Sequence, residues 1–303
     1  MVDPLAEVVT LLQPGARFSK YVLGSGPWRI SRSDAGQPFY CVVLEGGCRI
    51  AIDGHETMEL LSGDFALIPA AWGVAMSSLV PPPEGVETAP PVALGNGEFR
   101  IGPMDGPIDL RIMAGHCSFG SPDAALLVSL LPQFVHVRGE ERLATLVQLV
   151  RDESRAQRPA REVVLSRLLE VLLIEALRSA GTNASPGLVR GLADGRLAAA
   201  IRGMHERPTH AWTVAELAKE AALSRSTFFE RFSRAIGVAP MEYLLTWRMA
   251  LAKDLLRRRE GRVSDIAERV GYSSASTFSV AFTRHVGRPP TQYAREQAAA
   301  AAV

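Results

Sequence analysis

The sequence predicts an α+β chain: a β-rich N-terminal domain, a helical connector and an all-α C-terminal domain. Three observations predict this. Short alternating segments broken by Gly and Pro run to residue 121, a continuous apolar helical pattern fills much of 122–185, and a helix-turn-helix pattern occurs twice within 186–303. At 303 residues the chain exceeds the usual size of one core, so at least two domains are expected.

In the N-terminal segment, PFYCVVLEGGCRIAIDG reads as two strands around a Gly-Gly turn, and LLSGDFALIPAAW as a strand behind a Gly-Asp turn. A hairpin about Gly46-Gly47 would pair Val43 with Ile50 and Cys41 with Ile52, with Cys48, Ile50 and Ile52 on its apolar face. The tract VPPPEGVETAPPVALGNG is too rich in Pro and Gly for a long strand or helix and reads as an exposed loop. Many short strands at this spacing predict a sandwich or small barrel. In the connector, REVVLSRLLEVLLIEALRSAG is apolar on nearly every side, so it should be buried within the chain or between two chains. Gly181 is its expected stop, and GTNASPG an expected linker.

The formal net charge of +1 hides a division. From Arg196 onward there are 17 Lys and Arg against 10 Asp and Glu; before it there are 16 against 22. A basic third on an acidic body fits a nucleic-acid-binding module on a body that does not bind nucleic acid. No apolar run reaches the roughly 18 residues of a membrane span, and MVDPLAEVVTLL lacks a basic segment before its apolar stretch, so a cytoplasmic protein is expected. The three cysteines form no CxxC pair.

The first helix-turn-helix starts at Thr213-Val-Ala-Glu216, a capping box in which hydroxyl and carboxylate satisfy orphan N–H groups. After the turn AALS, Ser224 can cap a second helix with Phe228, Phe232 and Ile236 as its buried stripe and Gly237 as its stop. Its other face presents Arg225, Ser226, Phe229, Glu230 and Arg234. About fifty residues on, the pattern returns: Ser264 or Asp265 as cap, Ile266, Ala267 and Val270 as packing positions, Gly271-Tyr272 as turn. A helix from Ser273 or Ser274 then carries Phe278 and Phe282. Both copies continue to a Pro and a Tyr, GVAPMEY and GRPPTQY, and an uninterrupted helical pattern from Met241 to Arg258 joins them. Arg257, Arg258 and Arg259 close that helix, where cations suit its dipole and a solvated helix end.

The stretch from about Leu197 to Tyr293 resembles the AraC/XylS transcription regulators, through WTVAELAKEAALSRSTFFERF, the TWRM of the joining helix, and IAERVGYSSASTFSVAFTRHVGRPPTQY. The resemblance implies that the second helix of each motif enters a major groove of double-stranded DNA. Candidate DNA-binding residues outside the base-facing set are Arg225, Arg234, Ser274 and Arg284, the last of which lacks a matching base-facing position and is expected to touch phosphate. The positions the resemblance carries over as base-facing are Ser226, Phe229 and Glu230 in the first copy and Ala275, Ser276, Ser279 and Val280 in the second. The second set is small, so it reads methyl groups and shape, or anchors on phosphate.

DPLAEVVTLLQPGARFSKYVLGSGPW and LSGDFALIPAAW resemble the opening arm and one barrel strand of those members that carry a cupin-like sensor, which implies an N-terminal cupin-like β-barrel or jelly roll over residues 1–121. Cupin enzymes hold a metal through a clustered HxH and Glu plus a later His. Here FYCVVLEGG has no His, Trp72-Gly73 occupies the place of the later one, and His55 and His116 stand alone, so no metal or other cofactor is expected. The expected register leaves Cys41 and Cys48 roughly 13 Å apart, beyond disulfide reach, and all three cysteines read as small core filler. No Ser/His/Asp set, carboxylate pair or phosphate-cradling loop stands out, and no enzyme is expected. The candidate effector-pocket residues are Trp28, Phe39, Cys41 and Trp72. The expectation is a DNA-binding regulator responsive to a small molecule, homodimeric through the connector, with RNA polymerase a further candidate partner. The alternative is a constitutive DNA-binding protein whose barrel serves only dimerisation.

Overall fold

The computed structural model describes residues 2–32, 36–71, 73–83, 90–121, 124–156, 158–180 and 186–300. The first elements are α1 (Pro4–Leu12), β1 (Pro14–Gly24), β2 (Arg29–Arg32), β3 (Gln37–Glu45), β4 (Gly47–Ile52), β5 (Met58–Leu61) and β6 (Asp64–Ala71). They are followed by β7 (Val74–Ser78), β8 (Val92–Gly95), β9 (Glu98–Ile101), β10 (Leu110–Phe119), α2 (Ala124–Val128), β11 (Val135–Arg138), α3 (Glu141–Arg155) and α4 (Arg161–Ala180). The remainder is helical: α5 (Leu188–Ala193), α6 (Gly195–Glu206), α7 (Val214–Glu220), α8 (Arg225–Ile236), α9 (Pro240–Arg258), α10 (Val263–Arg269), α11 (Ala275–Val286) and α12 (Pro290–Ala300).

These elements form two compact units. One comprises Leu12–Pro122 and Pro132–Ser185; the other joins Met1–Leu11 and Asp123–Leu131 to Pro186–Val303. The N-terminal helix and α2 therefore group with the C-terminal helices, a division that follows neither of the linear boundaries read from composition.

The β unit has a seven-stranded sheet, ordered β11-β6-β3-β10-β1-β9-β8, and a four-stranded sheet, β2-β7-β4-β5. Phe39, Cys41 and Val43 from β3 share one core with Cys48, Ile50 and Ile52 from β4 and with Leu60, Ile68 and Ile112. Alternation along β4 puts Cys48, Ile50 and Ile52 inside, as its sequence dictates. The expected β3–β4 hairpin does not form. β3 pairs with β10 and β6, whereas β4 pairs with β5 and β7. The reason is the burial of both faces of β3: Phe39 through Val43 are all buried, so this strand belongs in the middle of a covered sheet. Gly46 passes the chain between sheets at φ 76°, where a side-chain carbon would lie 2.0 Å from the Asp109 carbonyl oxygen. With that register gone, the separation inferred for Cys41 and Cys48 no longer applies. The Gly-Asp turn does form: Gly63 has φ 88° and Asp64 accepts the Leu61 N–H at 3.0 Å. The end of the Pro-rich tract supplies the short exposed strand β8.

Helices α3 and α4 pack on each other and on β1. Along α4, Leu165, Leu169, Leu172, Leu173, Ala176 and Leu177 are buried, leaving Val163, Val164 and Val171 exposed. Gly181 and the linker up to residue 185 lie outside the described residues.

In the helical unit the sequence repeat becomes a structural one. Phe228 and Phe232 pack at 5.5 Å between centroids, and Tyr243 meets Phe232 edge-on at 5.8 Å. Phe278, Phe282 and Tyr293 repeat this at 5.4 and 5.6 Å. The shared Pro explains the shared Tyr. Pro240 and Pro290 each open a helix, where a missing N–H costs nothing, and the Tyr one turn later folds onto the motif just completed. Gly237 and Gly287 stop α8 and α11 in the left-handed conformation, at φ 93° and 83°.

Candidate DNA-reading surface and barrel cavity

Each motif is assembled by its caps. The Thr213 hydroxyl accepts the Glu216 N–H at 3.2 Å while the Glu216 carboxylate accepts the Thr213 N–H at 2.8 Å, so α7 starts with a closed capping box. Ser224 caps α8 and Ser274 caps α11, each accepting an N–H from the Thr three residues on. In the second motif the N-cap is Arg262, not Ser264 or Asp265. Asp265 lies inside the first turn of α10 and reaches back to the Arg262 N–H at 3.0 Å, which holds its carboxyl below the usual range.

With Phe228, Phe232, Phe278 and Phe282 buried, helical periodicity turns the opposite stripes of α8 and α11 outward. Arg225, Ser226, Phe229, Glu230 and Arg234 are exposed on α8. On α11, Ser276, Val280 and Arg284 are exposed while Ser274, Ala275 and Ser279 are half-buried. The hydroxyl of Ser274 is held as a cap, and that of Ser279 donates to the Ala275 carbonyl at 2.7 Å. In the Arg257–Arg259 run, Arg257 and Arg258 pair with Asp254 and Arg259 ends α9 at φ 56°.

The two motifs are fixed to each other by more than α9. From the middle of α9, Arg248 donates through Nε to the Pro208 carbonyl at 2.8 Å and through Nη2 to the His210 carbonyl at 2.7 Å. Both carbonyls belong to the loop that leads into α7. The turn of the second motif closes on the same point: a side-chain carbon on Gly271 would lie 2.6 Å from both the Pro208 oxygen and Arg248 Nη2. Below this, His205 of α6 stacks on Trp247 at 4.0 Å, and its ring nitrogens bond Tyr243 Oη and Glu7 of α1, each at 2.8 Å. Burial pushes the His205 pKa down, against the opposing pull of Glu7.

The β unit contains a cavity of about 440 Å³ lined by Lys20, Val22, Trp28, Ile30, Phe39, Met76, Phe99 and Ile112, among others. That is the size and apolar character of a small-molecule site. The Trp28 indole N–H is buried without a hydrogen-bond partner, and the Lys20 ammonium lies 4.6 Å from the Phe99 ring centroid.

A cupin family model matches residues 3–180, and a helix-turn-helix domain model matches residues 217–296. An AraC-like transcription regulator of Streptomyces lividans is 34% identical over 301 residues, covering 96% of this chain and 98% of that one. The chain belongs to the AraC-like transcription regulators. It is also similar to the HTH-type transcriptional regulator AlkR of Acinetobacter baylyi, at 31% identity over 97% of this chain and 100% of that one. Among solved structures, the DNA-binding domain of AdpA in complex with a target DNA is 31% identical with a TM-score of 0.33. It covers 34% of this chain and 92% of that one. The Streptomyces and Acinetobacter relatives are transcription regulators, and this chain, with its helix-turn-helix domain, is a DNA-binding transcription regulator of the AraC type.

In this AraC-like regulator, Trp28 and Phe39 line the barrel cavity, whereas Cys41 is fully buried in the core and is not among the lining residues. Trp72 lies outside the described residues. Cys41, Cys48 and Cys117 are free and buried. Burial raises all three thiols, Cys48 and Cys117 to about 12, so none is a reactive thiolate. His55 bonds Gln133, while His116 packs beside Phe39 with ring centroids 5.3 Å apart. Among the described residues no cluster of three or more His, Cys, Asp or Glu could hold a metal, and no helix is long and apolar enough to cross a membrane. Sequence reasoning missed Lys20 and Arg248. Lys20 shares inward parity with Val22 along β1, a signal that alternation alone could have given. Arg248 sits in a helical run with nothing to mark its partners.

Proposed function

We propose that this regulator reads a specific DNA sequence through the exposed stripes of α8 and α11 and responds to a small molecule held in the barrel cavity. The observation that carries the DNA reading is the matched pair of stripes. Arg225, Glu230, Arg234 and Arg284 are exposed on them, and none makes an ion pair among the described residues. Arg and Glu side chains left free on a helix that enters a major groove are suited to phosphate and base-edge contacts. The effector reading is supported by the apolar cavity with the unpartnered indole N–H of Trp28 and the cation of Lys20. Exposed Val164 and Val171, seven residues apart on α4, support homodimerisation through the connector. RNA polymerase is the further partner of the proposed cytoplasmic regulator.

The deciding experiment selects bound duplexes from a random DNA pool with the full chain. A shared motif of two short segments is expected, and recovery of unrelated sequences would overturn the reading. The selected site then allows an effector screen in which ligands are scored for altered DNA affinity in the wild type and in Trp28→Ala. A barrel that serves only dimerisation would give no such ligand.

A further inference from the structure

The two recognition helices align residue for residue, and one position of the second carries an exposed apolar side chain. Buried Phe228 and Phe232 correspond to Phe278 and Phe282, and on the exposed stripe Ser226 and Arg234 correspond to Ser276 and Arg284. Between these identical residues the stripes differ at Glu230 against Val280 and at Phe229 against Ser279, and at the helix start Arg225 stands against Ala275. On α11 the Ser279 hydroxyl is spent on its own helix and Ala275 is half-buried, so Val280 is the differing position that presents an exposed apolar side chain.

Val280 is 71% exposed, which leaves an isopropyl group in water at the middle of a surface that meets DNA. In the helical unit, the other large hydrophobics found exposed among the described residues are Phe229 and Met241, and Phe229 lies on the companion recognition helix. The neighbouring hydroxyls of α11 are already engaged. Ser276 and Thr277 bond Ser274 at 3.0 and 2.8 Å, and Ser279 and Thr283 donate to carbonyls of their own helix, both at 2.7 Å. The concavity beside Val280 mixes apolar Leu245, Tyr272 and Ala281 with Arg284 and His285, so the valine has both apolar and polar neighbours.

We propose that Val280 makes the second motif a reader of thymine through its 5-methyl group, an inference that rests on the DNA reading above. Of the four base pairs, only those with thymine present an apolar group in the major groove; every other edge feature is a donor or acceptor that Val280 cannot serve. Covering the valine with that methyl removes both from water. Because the methyl sits on one strand, the contact also distinguishes T·A from A·T. Glu230, at the matching position of the first helix, is an acceptor suited to the cytosine amino group. The repeated scaffold thus reads two kinds of base from one matched position.

Deoxyuridine tests this directly, since it keeps every hydrogen-bonding group of thymine and lacks the methyl. Using the full chain and its selected site, each thymine in the segment protected by the second motif is replaced in turn. Affinity is expected to fall about fourfold for each methyl that Val280 covers, and Val280→Ser should bind the thymine and uracil sites equally. Val280→Glu should move the preference at that position towards cytosine. Because the residue is exposed, both variants should unfold with the wild type, which thermal melting verifies. If no replacement weakens binding, or if Val280→Ser remains as sensitive as the wild type, the thymine assignment is wrong although sequence-specific binding stands. If selection yields no common site, the DNA reading falls and this inference falls with it.

Discussion

Replacing Gly271 by alanine should uncouple the two DNA-reading motifs. Gly271 has φ 84°, where an L residue costs roughly 1–2 kcal/mol. The added carbon would stand 2.6 Å from the Pro208 oxygen and from Arg248 Nη2, so backbone or guanidinium must move. Moving the guanidinium endangers two charge-assisted hydrogen bonds, each worth about 1.5–3 kcal/mol when made. Solvent at this half-buried arginine offsets part of that loss, giving a net cost of about 2–4 kcal/mol. Gly287→Ala is the control. Its φ is 83° with nothing within 4 Å of the added carbon, so only the same backbone cost of roughly 1–2 kcal/mol remains. Urea unfolding followed by tryptophan fluorescence measures both. With a slope of about 1–3 kcal/mol/M, Gly271→Ala should unfold about 0.7–4 M urea earlier than the wild type. Binding to the selected site and to a version with about five base pairs inserted between its segments gives the second readout. A rigid pair of motifs loses the inserted site, because half a helical turn rotates one segment to the far side. Gly271→Ala, and Arg248→Met without the backbone strain, should narrow that preference. If Gly271→Ala matched Gly287→Ala in stability and kept the wild-type spacing preference, the junction would not be what fixes the motifs.

Other expectations follow from the same geometry. Glu230→Ala should relax preference at one base pair by about 1–3 kcal/mol, whereas Arg284→Ala should weaken a panel of sites uniformly; equal patterns would refute the division between base reading and anchoring. A fragment of residues 186–303 should bind DNA with an affinity that falls steeply with salt, yet melt below the full chain's helical unit, because α1 and its Glu7–His205 bond are missing. His205 has its pKa depressed below the ordinary 6.5, so the unfolded chain takes up a proton that the folded chain refuses. Stability should therefore be lost as pH falls below 6.5, by at most about 1.4 kcal/mol per pH unit from this group, and denaturant titrations should show a shallower dependence in His205→Gln.

Local chemistry determined much of the helical unit. Thr213 and Glu216, Ser224, Ser274, Gly237 and Gly287 act within four residues of themselves, so the motifs, their caps and their outward stripes were legible from the sequence. The repeat of Phe, Phe, Pro and Tyr made that reading strong, and the structure supplies its cause in the edge-on packing of Tyr243 and Tyr293. The alternation of Cys48, Ile50 and Ile52 likewise fixed which face of β4 is buried. Partner choice was another matter. The run from Phe39 to Val43 announces a strand but not its neighbours, and a Gly-Gly pair serves a crossing between sheets as well as a hairpin. Long-range pairing depends on which surfaces remain to be covered once the whole chain is assembled, and no local pattern encodes that sum. For the same reason only the tertiary structure could group α1 with helices nearly two hundred residues away, bring Lys20 to the cavity with Trp28 and Phe39, or close Arg248 and Gly271 on one loop. Those contacts are set by shape and by the need of each buried polar group for a partner, and both exist only once the chain has folded.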